Sequence, residues 1–124
     1  MMIILKDIFV IFVAVEVLLI MLLEMFGTQT KIARNAFDLS KKYLAIKEAR
    51  MSMANQGLYN GFVGVGIVYA RYGLTGMASL HVQVLFIGFV VIAALFGSVT
   101  ANKKIIFTQG GPALFALGFL LFVN

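Results

Sequence analysis

Residues 8–26 read IFVIFVAVEVLLIMLLEMF, a run in which every position except Glu16 and Glu24 is apolar. A helix rises about 1.5 Å per residue, so about 20 mainly apolar residues cross about 30 Å of hydrocarbon. This stretch is long and apolar enough to be a membrane span. It extends back as far as Ile3, with Lys6 and Asp7 near its outer end, where a long Lys side chain can snorkel. Three more stretches meet the same test, giving spans at about 3–26, 51–72, 77–101 and 105–123. The fold class this implies is all-α: a polytopic, four-transmembrane-helix up-down bundle forming one domain over residues 1–124. The turns Tyr72-Gly73-Leu74-Thr75-Gly76 and Asn102-Lys103-Lys104 are short, and short turns make consecutive helices antiparallel neighbours.

The composition agrees. Hydrophobic types make up 62% of the chain against roughly 45–50% in soluble domains, charged types only 12%, and the mean hydropathy is +1.04. A water-soluble globule of this size leaves too much surface exposed to hide that content. A soluble enzyme, a nucleic-acid binder and a disordered tail are therefore poor readings. With Cys 0 there is no disulfide framework, thiolate metal site or thiol nucleophile.

The net charge of +5 is concentrated rather than spread, because six of the ten Lys and Arg residues fall between Lys31 and Arg50. The loops after the first and third spans hold Lys31, Arg34, Lys41, Lys42, Lys47, Arg50, Lys103 and Lys104, whereas the opposite side holds Lys6 and Arg71. The positive-inside rule then puts the basic loop 27–50 in the cytoplasm and both termini outside, as in a multi-pass protein of the plasma membrane. No small-x-small site follows the first span, so no cleaved signal peptide is expected. Within the loop, Asp38 or Ser40 is suited to N-cap a helix through Lys41, Tyr43, Leu44 and Ile46.

The polar residues inside the spans are the candidate site. Glu16 lies near the middle of the first span, where a charged carboxylate costs roughly 2.5–3.5 kcal/mol on insertion scales. With no Lys or Arg at its depth it is expected to hold a proton, donating to Asn60 or to a backbone carbonyl. Glu24 is eight residues on, about 12 Å along the helix and about 80° around it, so the two can line one stripe. The second span opens Ala54-Asn55-Gln56-Gly57-Leu58-Tyr59-Asn60-Gly61-Phe62. Asn55 and Tyr59 share a face at i,i+4, as do Gln56 and Asn60, and Gly57 and Gly61 allow close helix approach. In the fourth span, Thr108-Gln109-Gly110-Gly111-Pro112 predicts a kink or break, since Pro112 frees the carbonyl of Thr108. Depth bookkeeping brings Glu24, Asn55, Gln56, Tyr59, Asn60 and Gln109 to similar levels in the inner half, with Glu16 near the midplane. The outer half offers little beyond Tyr69 and Ser79, and His81 and Gln83 are read as lying near the outer end of the third span. A polar pocket opening toward the cytoplasm is expected. The bland reading of the same residues is packing glycines, amide glue between helices and an interfacial Glu24.

The motifs Leu23-Glu24-Met25-Phe26, Ala54 to Phe62, and Gln109-Gly110-Gly111-Pro112-Ala113 resemble those of the domain-of-unknown-function 1304 family of small integral membrane proteins. The similarity runs nearly end to end. The chain departs from that family's pattern where its first Glu is usually followed by His, since Glu16 is followed by Val17. It also has Thr30-Lys31-Ile32-Ala33-Arg34 where the family carries Thr-Pro-Arg-Gly-Arg. The resemblance implies a four-helix membrane protein and assigns no activity.

Three functional readings stay open. The first is binding or proton-coupled transport of a small polar or cationic solute, with Glu16 alternating between proton and solute, Glu24 attracting cations at the inner mouth, and a homodimer completing the path. The second is an intramembrane enzyme or binder for a lipid-like substrate, using the two carboxylates and Tyr59 as acid and base. The third is a structural or interaction protein. No catalytic motif, metal-ligand spacing or cofactor loop is present, so no cofactor is assigned, and the partners expected are the bilayer and a small ligand, not nucleic acid.

Overall fold

The chain is strongly apolar, and the computed structural model, which describes residues 1–123, is built of helices joined by turns, with no strand among those residues. Asn124, the last residue of the expected domain, lies outside the described residues. The elements are α1 (Met2–Phe26), α2 (Lys31–Phe37), α3 (Lys41–Leu44), α4 (Lys47–Tyr72), α5 (Gly76–Thr100), a π-helical segment (Ile106–Gly110) and α6 (Gly111–Phe122). Among the described residues two helices, α1 and α5, are long and apolar enough to cross a membrane. α4 has the length, 26 residues, but its first fourteen residues carry Asn55, Gln56, Asn60 and three charged residues before Met51, which dilutes its apolar character. The last apolar stretch, Ile106–Phe122, is shorter and is broken into two helical forms.

α1 packs against α4 and α6, and α5 packs against the same two, closing a ring in which neighbours run antiparallel. Paired contacts at both ends show the direction for α1 and α4: Asp7 meets Arg71, and Glu24 meets Asn60. The closest approach is made by glycine. A Cβ on Gly57 would meet Glu24 Cβ and Met25 Cγ at 2.9 Å and the Met21 carbonyl oxygen at 3.1 Å, so α4 lies directly on the α1 backbone there. Gly61 and Gly64 continue the track against Met21 and Leu18.

The buried apolar core is gathered toward the end where α1 begins and α6 ends: Val10, Val13, Ala14 and Val17 of α1 meet Ile67, Ile87, Val90, Ala113, Ala116 and Leu120. Phe9 stacks on Phe115 and Phe119 there, with ring centroids 5.3 and 5.7 Å apart. The opposite, basic-loop end is not filled in this way. α1 is not packed closely on the π-helical segment there, and residues 36–40 and Tyr43 border the space between them.

The loop has one of its two expected caps, a shorter helix than expected, ending at Leu44 rather than reaching Ile46, and one further helix. Ser40 does N-cap α3, its hydroxyl accepting from Tyr43 N–H at 3.0 Å, but Asp38 is in the left-handed conformation (φ 54°) and ends α2 instead. The α2 helix was not anticipated, and its cap is Thr30, whose side chain accepts from Ala33 N–H. Arg50 donates to the carbonyls of Leu44 and Ala45, tying α3 to the start of α4.

A carboxylate-lined cavity between the first helix and the π-helical segment

Helical periodicity carries Glu16 and Glu24 to one side of α1, as their spacing requires, and both line a cavity of about 730 Å³. That volume lies within the range of small-molecule sites, roughly 300–1,000 Å³. α1 supplies one wall, including Phe12, Val15 and Leu19. α4 contributes Ser52, Met53 and Gln56, and the π-helical segment and the residue before it contribute Ile105, Thr108 and Gln109. The loop closes the end with Phe37, Asp38, Ser40 and Tyr43.

Glu24 is only 1% exposed. Its burial follows from Gly57: without a side chain at that position, the Glu24 stem can lie flat on α4, and Asn60, one turn further along the same face, donates its amide to Glu24 Oε1. Expectation and structure differ here, because Asn60 was read as a partner of Glu16. The antiparallel crossing explains it. Gly57 sits opposite Glu24 and Gly64 opposite Val17 and Leu18, so the α4 residues level with Glu16 are the apolar ones near Gly64. Glu16 Oε1 is consequently buried without a hydrogen-bond partner. A lone buried oxygen of this kind calls for an explanation such as a proton, a water or a ligand.

Of the remaining candidates, Gln56 and Gln109 line the cavity, and Asn60 reaches it through Glu24. Asn55 and Tyr59 do share a face, but it is the outward one: Tyr59 is 75% exposed, and neither residue borders the cavity. The chain leaves the α-helical pattern immediately before Pro112, over Ile106–Gly110. The wider π turn accommodates a residue that cannot donate to the turn before it. Thr108, Asp38, Ser40 and Tyr43 also belong to the lining; the sequence marks Asp38, Ser40 and Tyr43 only as parts of a capped helix and Thr108 only for its carbonyl, since a loop folding back against a helix leaves no periodic signal.

The half where α1 begins and α6 ends carries a partly exposed ion pair and, inside, the buried polar pair Ser79 and Gln83. Asp7 and Arg71 form a two-pronged ion pair, at 2.9 and 2.7 Å, across α1 and α4. Gln83, read as an end-of-span residue, is 5% exposed and donates to Ser79 Oγ, which donates to the Ala70 carbonyl. Among the described residues no group of three His, Cys, Asp or Glu side chains is arranged to hold a metal.

The family model described as "Protein of unknown function (DUF1304)" matches residues 11–121. The chain is 41% identical over 105 residues to the uncharacterized protein YpaA of Lactococcus lactis subsp. lactis (strain IL1403), covering 85% of this chain and 87% of that one. No solved structure matches it.

Proposed function

The chain belongs to the DUF1304 family of proteins of unknown function, and from its geometry we propose that it binds and moves a small cationic solute through the cavity, exchanging it for protons. One observation carries the proposal. The cavity gathers three of the chain's five acidic side chains, Glu16, Glu24 and Asp38, and none of its ten Lys and Arg residues. In a protein of net charge +5 that segregation builds an acidic pocket inside a basic molecule, and low-dielectric walls strengthen the attraction between a cation and a carboxylate that ionises to receive it. Glu16, with an unpartnered oxygen, is the group that takes either a proton or the solute. Glu24, which accepts from Asn60, is the second carboxyl of the pocket, nearer the loop end, and Gln56 and Gln109 orient the ligand.

The setting of this reading is a four-helix up-down bundle in the plasma membrane, with both termini extracytoplasmic and the cavity facing inward. Its support is the packing: α4 runs antiparallel between α1 and α5, so a bilayer crossed by those two is crossed by α4 also. Ile106–Phe122, at 17 residues, has the minimum length for a span. The excess of Lys and Arg at the loop end supports the orientation. Four helices are few for a moving pathway, so the working unit is a homodimer, with Asn55 and Tyr59 on the outward face of α4 as its polar contact.

The test is uptake of radiolabelled tetramethylammonium into proteoliposomes under an imposed pH gradient. Wild type accumulates the cation when the gradient drives proton exchange, and Glu16→Gln does not. Uptake unchanged in Glu16→Gln, with the variant folded by circular dichroism, contradicts the role given to Glu16.

A further inference from the structure

Resting on that cation-site reading, we infer that the solute is a cationic amphiphile, its positive head between Glu16 and Glu24 and its apolar tail leaving sideways between α1 and the π-helical segment. The aromatic stack of Phe9 on Phe115 and Phe119 holds α1 on α6, but α1 has no comparable packing on the π-helical segment, and the cavity occupies that gap. Phe12, Val15 and Leu19 line the cavity and are each about half exposed on the side of the molecule. The apolar wall therefore runs continuously from the carboxylates out to the surface that faces acyl chains. A site for a small hydrophilic ion surrounds it with oxygens. Here polar groups from α1, α4, the loop and the π-helical segment are interspersed with a lining that is otherwise apolar, and the α1 wall toward the lateral gap, Phe12, Val15 and Leu19, is hydrocarbon. A head-and-tail ligand satisfies both halves, and the absence of any Lys or Arg from the lining disfavours an anionic or phosphate-bearing head.

The experiment measures binding of an alkyltrimethylammonium series, from tetramethylammonium to the octyl compound, to the full chain in lipid nanodiscs, with empty nanodiscs subtracted. Affinity should rise about three- to fourfold per added methylene, the gain for burying each group. Leu19→Trp, which obstructs the lateral gap, should flatten that rise, and the milder Leu19→Phe should do so in part. If tetramethylammonium binds and Glu16→Gln abolishes it while tail length has no effect, the cation site stands and the amphiphile inference is overturned. Equal binding of octyl sulfate and octyltrimethylammonium also overturns it. If no member of the series binds above empty nanodiscs, the cation-site reading itself falls.

Discussion

Gly57 and Gly61 look alike in sequence, four residues apart on one face of α4, yet they meet different neighbours. A methyl on Gly57 faces the Met21 carbonyl and the Glu24 stem, neither of which can move without shifting α1. A methyl on Gly61 meets only the flexible Met21 side chain, which must swing aside to admit it. Overpacking costs about 1–3 kcal/mol, and replacing Gly by Ala in a helix returns about 1 kcal/mol. Gly57→Ala should therefore destabilise by up to about 2 kcal/mol, while Gly61→Ala should be close to neutral, as read from unfolding titrations in mixed micelles. At the same scale, Asn60→Ala leaves Glu24 Oε1 buried without a donor. Losing one partner of a buried hydrogen bond to a polar group costs about 1–3 kcal/mol, so Asn60→Ala should be less stable than wild type and Asn60→Asp less stable still, because it sets a second carboxyl against Glu24. The reverse order in the same titrations would deny that Asn60 serves Glu24.

Among the elements, the short helix α3 and the π-helical segment decide the shape of the cavity. Ser40 holds α3 by capping Tyr43 N–H, and removing an N-cap costs about 0.5–2 kcal/mol. Ser40→Ala should speed amide exchange across Lys41–Leu44 and leave that of α5 as it was. The π turn exists because Pro112 follows it. Pro112→Ala permits an ordinary α-helix through Ile106–Gly111, which rotates Thr108 and Gln109 relative to α6. Cation binding should weaken in this variant although its helix content is kept or increased. Element boundaries were legible where apolar periodicity is long: α1, α5 and the end of α4 fall within a residue or two of the expected spans. The α2 helix was not legible, since seven residues are too few for the helical spacing of Ile32, Ala33, Ala36 and Phe37 to stand out, and Asp38 fits a cap at either end of a helix. Its left-handed conformation is set by the turn between α2 and α3.

For the whole molecule, the antiparallel ring stacks an apolar core at the end where α1 begins and α6 ends over a carboxylate-lined cavity at the basic-loop end. Glu16, Glu24, Gln56 and Gln109 were readable as one group because helix phase and depth follow from counting residues. The partner of Asn60 was not readable, because counting does not give the level at which two helices cross; the glycine track sets it. Nor was the outward turn of Asn55 and Tyr59, since an amphipathic polar pair does not say which side its neighbour occupies. The topology is open to a clean test, because the chain has Cys 0 and single cysteines report without background. Thr75→Cys should label with an impermeant maleimide in intact cells and Asn35→Cys only after permeabilisation; the opposite pattern would invert the orientation. The most direct test of the central claim is proton release on cation binding. Tetramethylammonium is titrated into the protein in weakly buffered nanodiscs containing a pH dye. The account predicts acidification that follows occupancy in wild type and vanishes in Glu16→Gln. Cation binding without acidification, equal in wild type and Glu16→Gln, would contradict it.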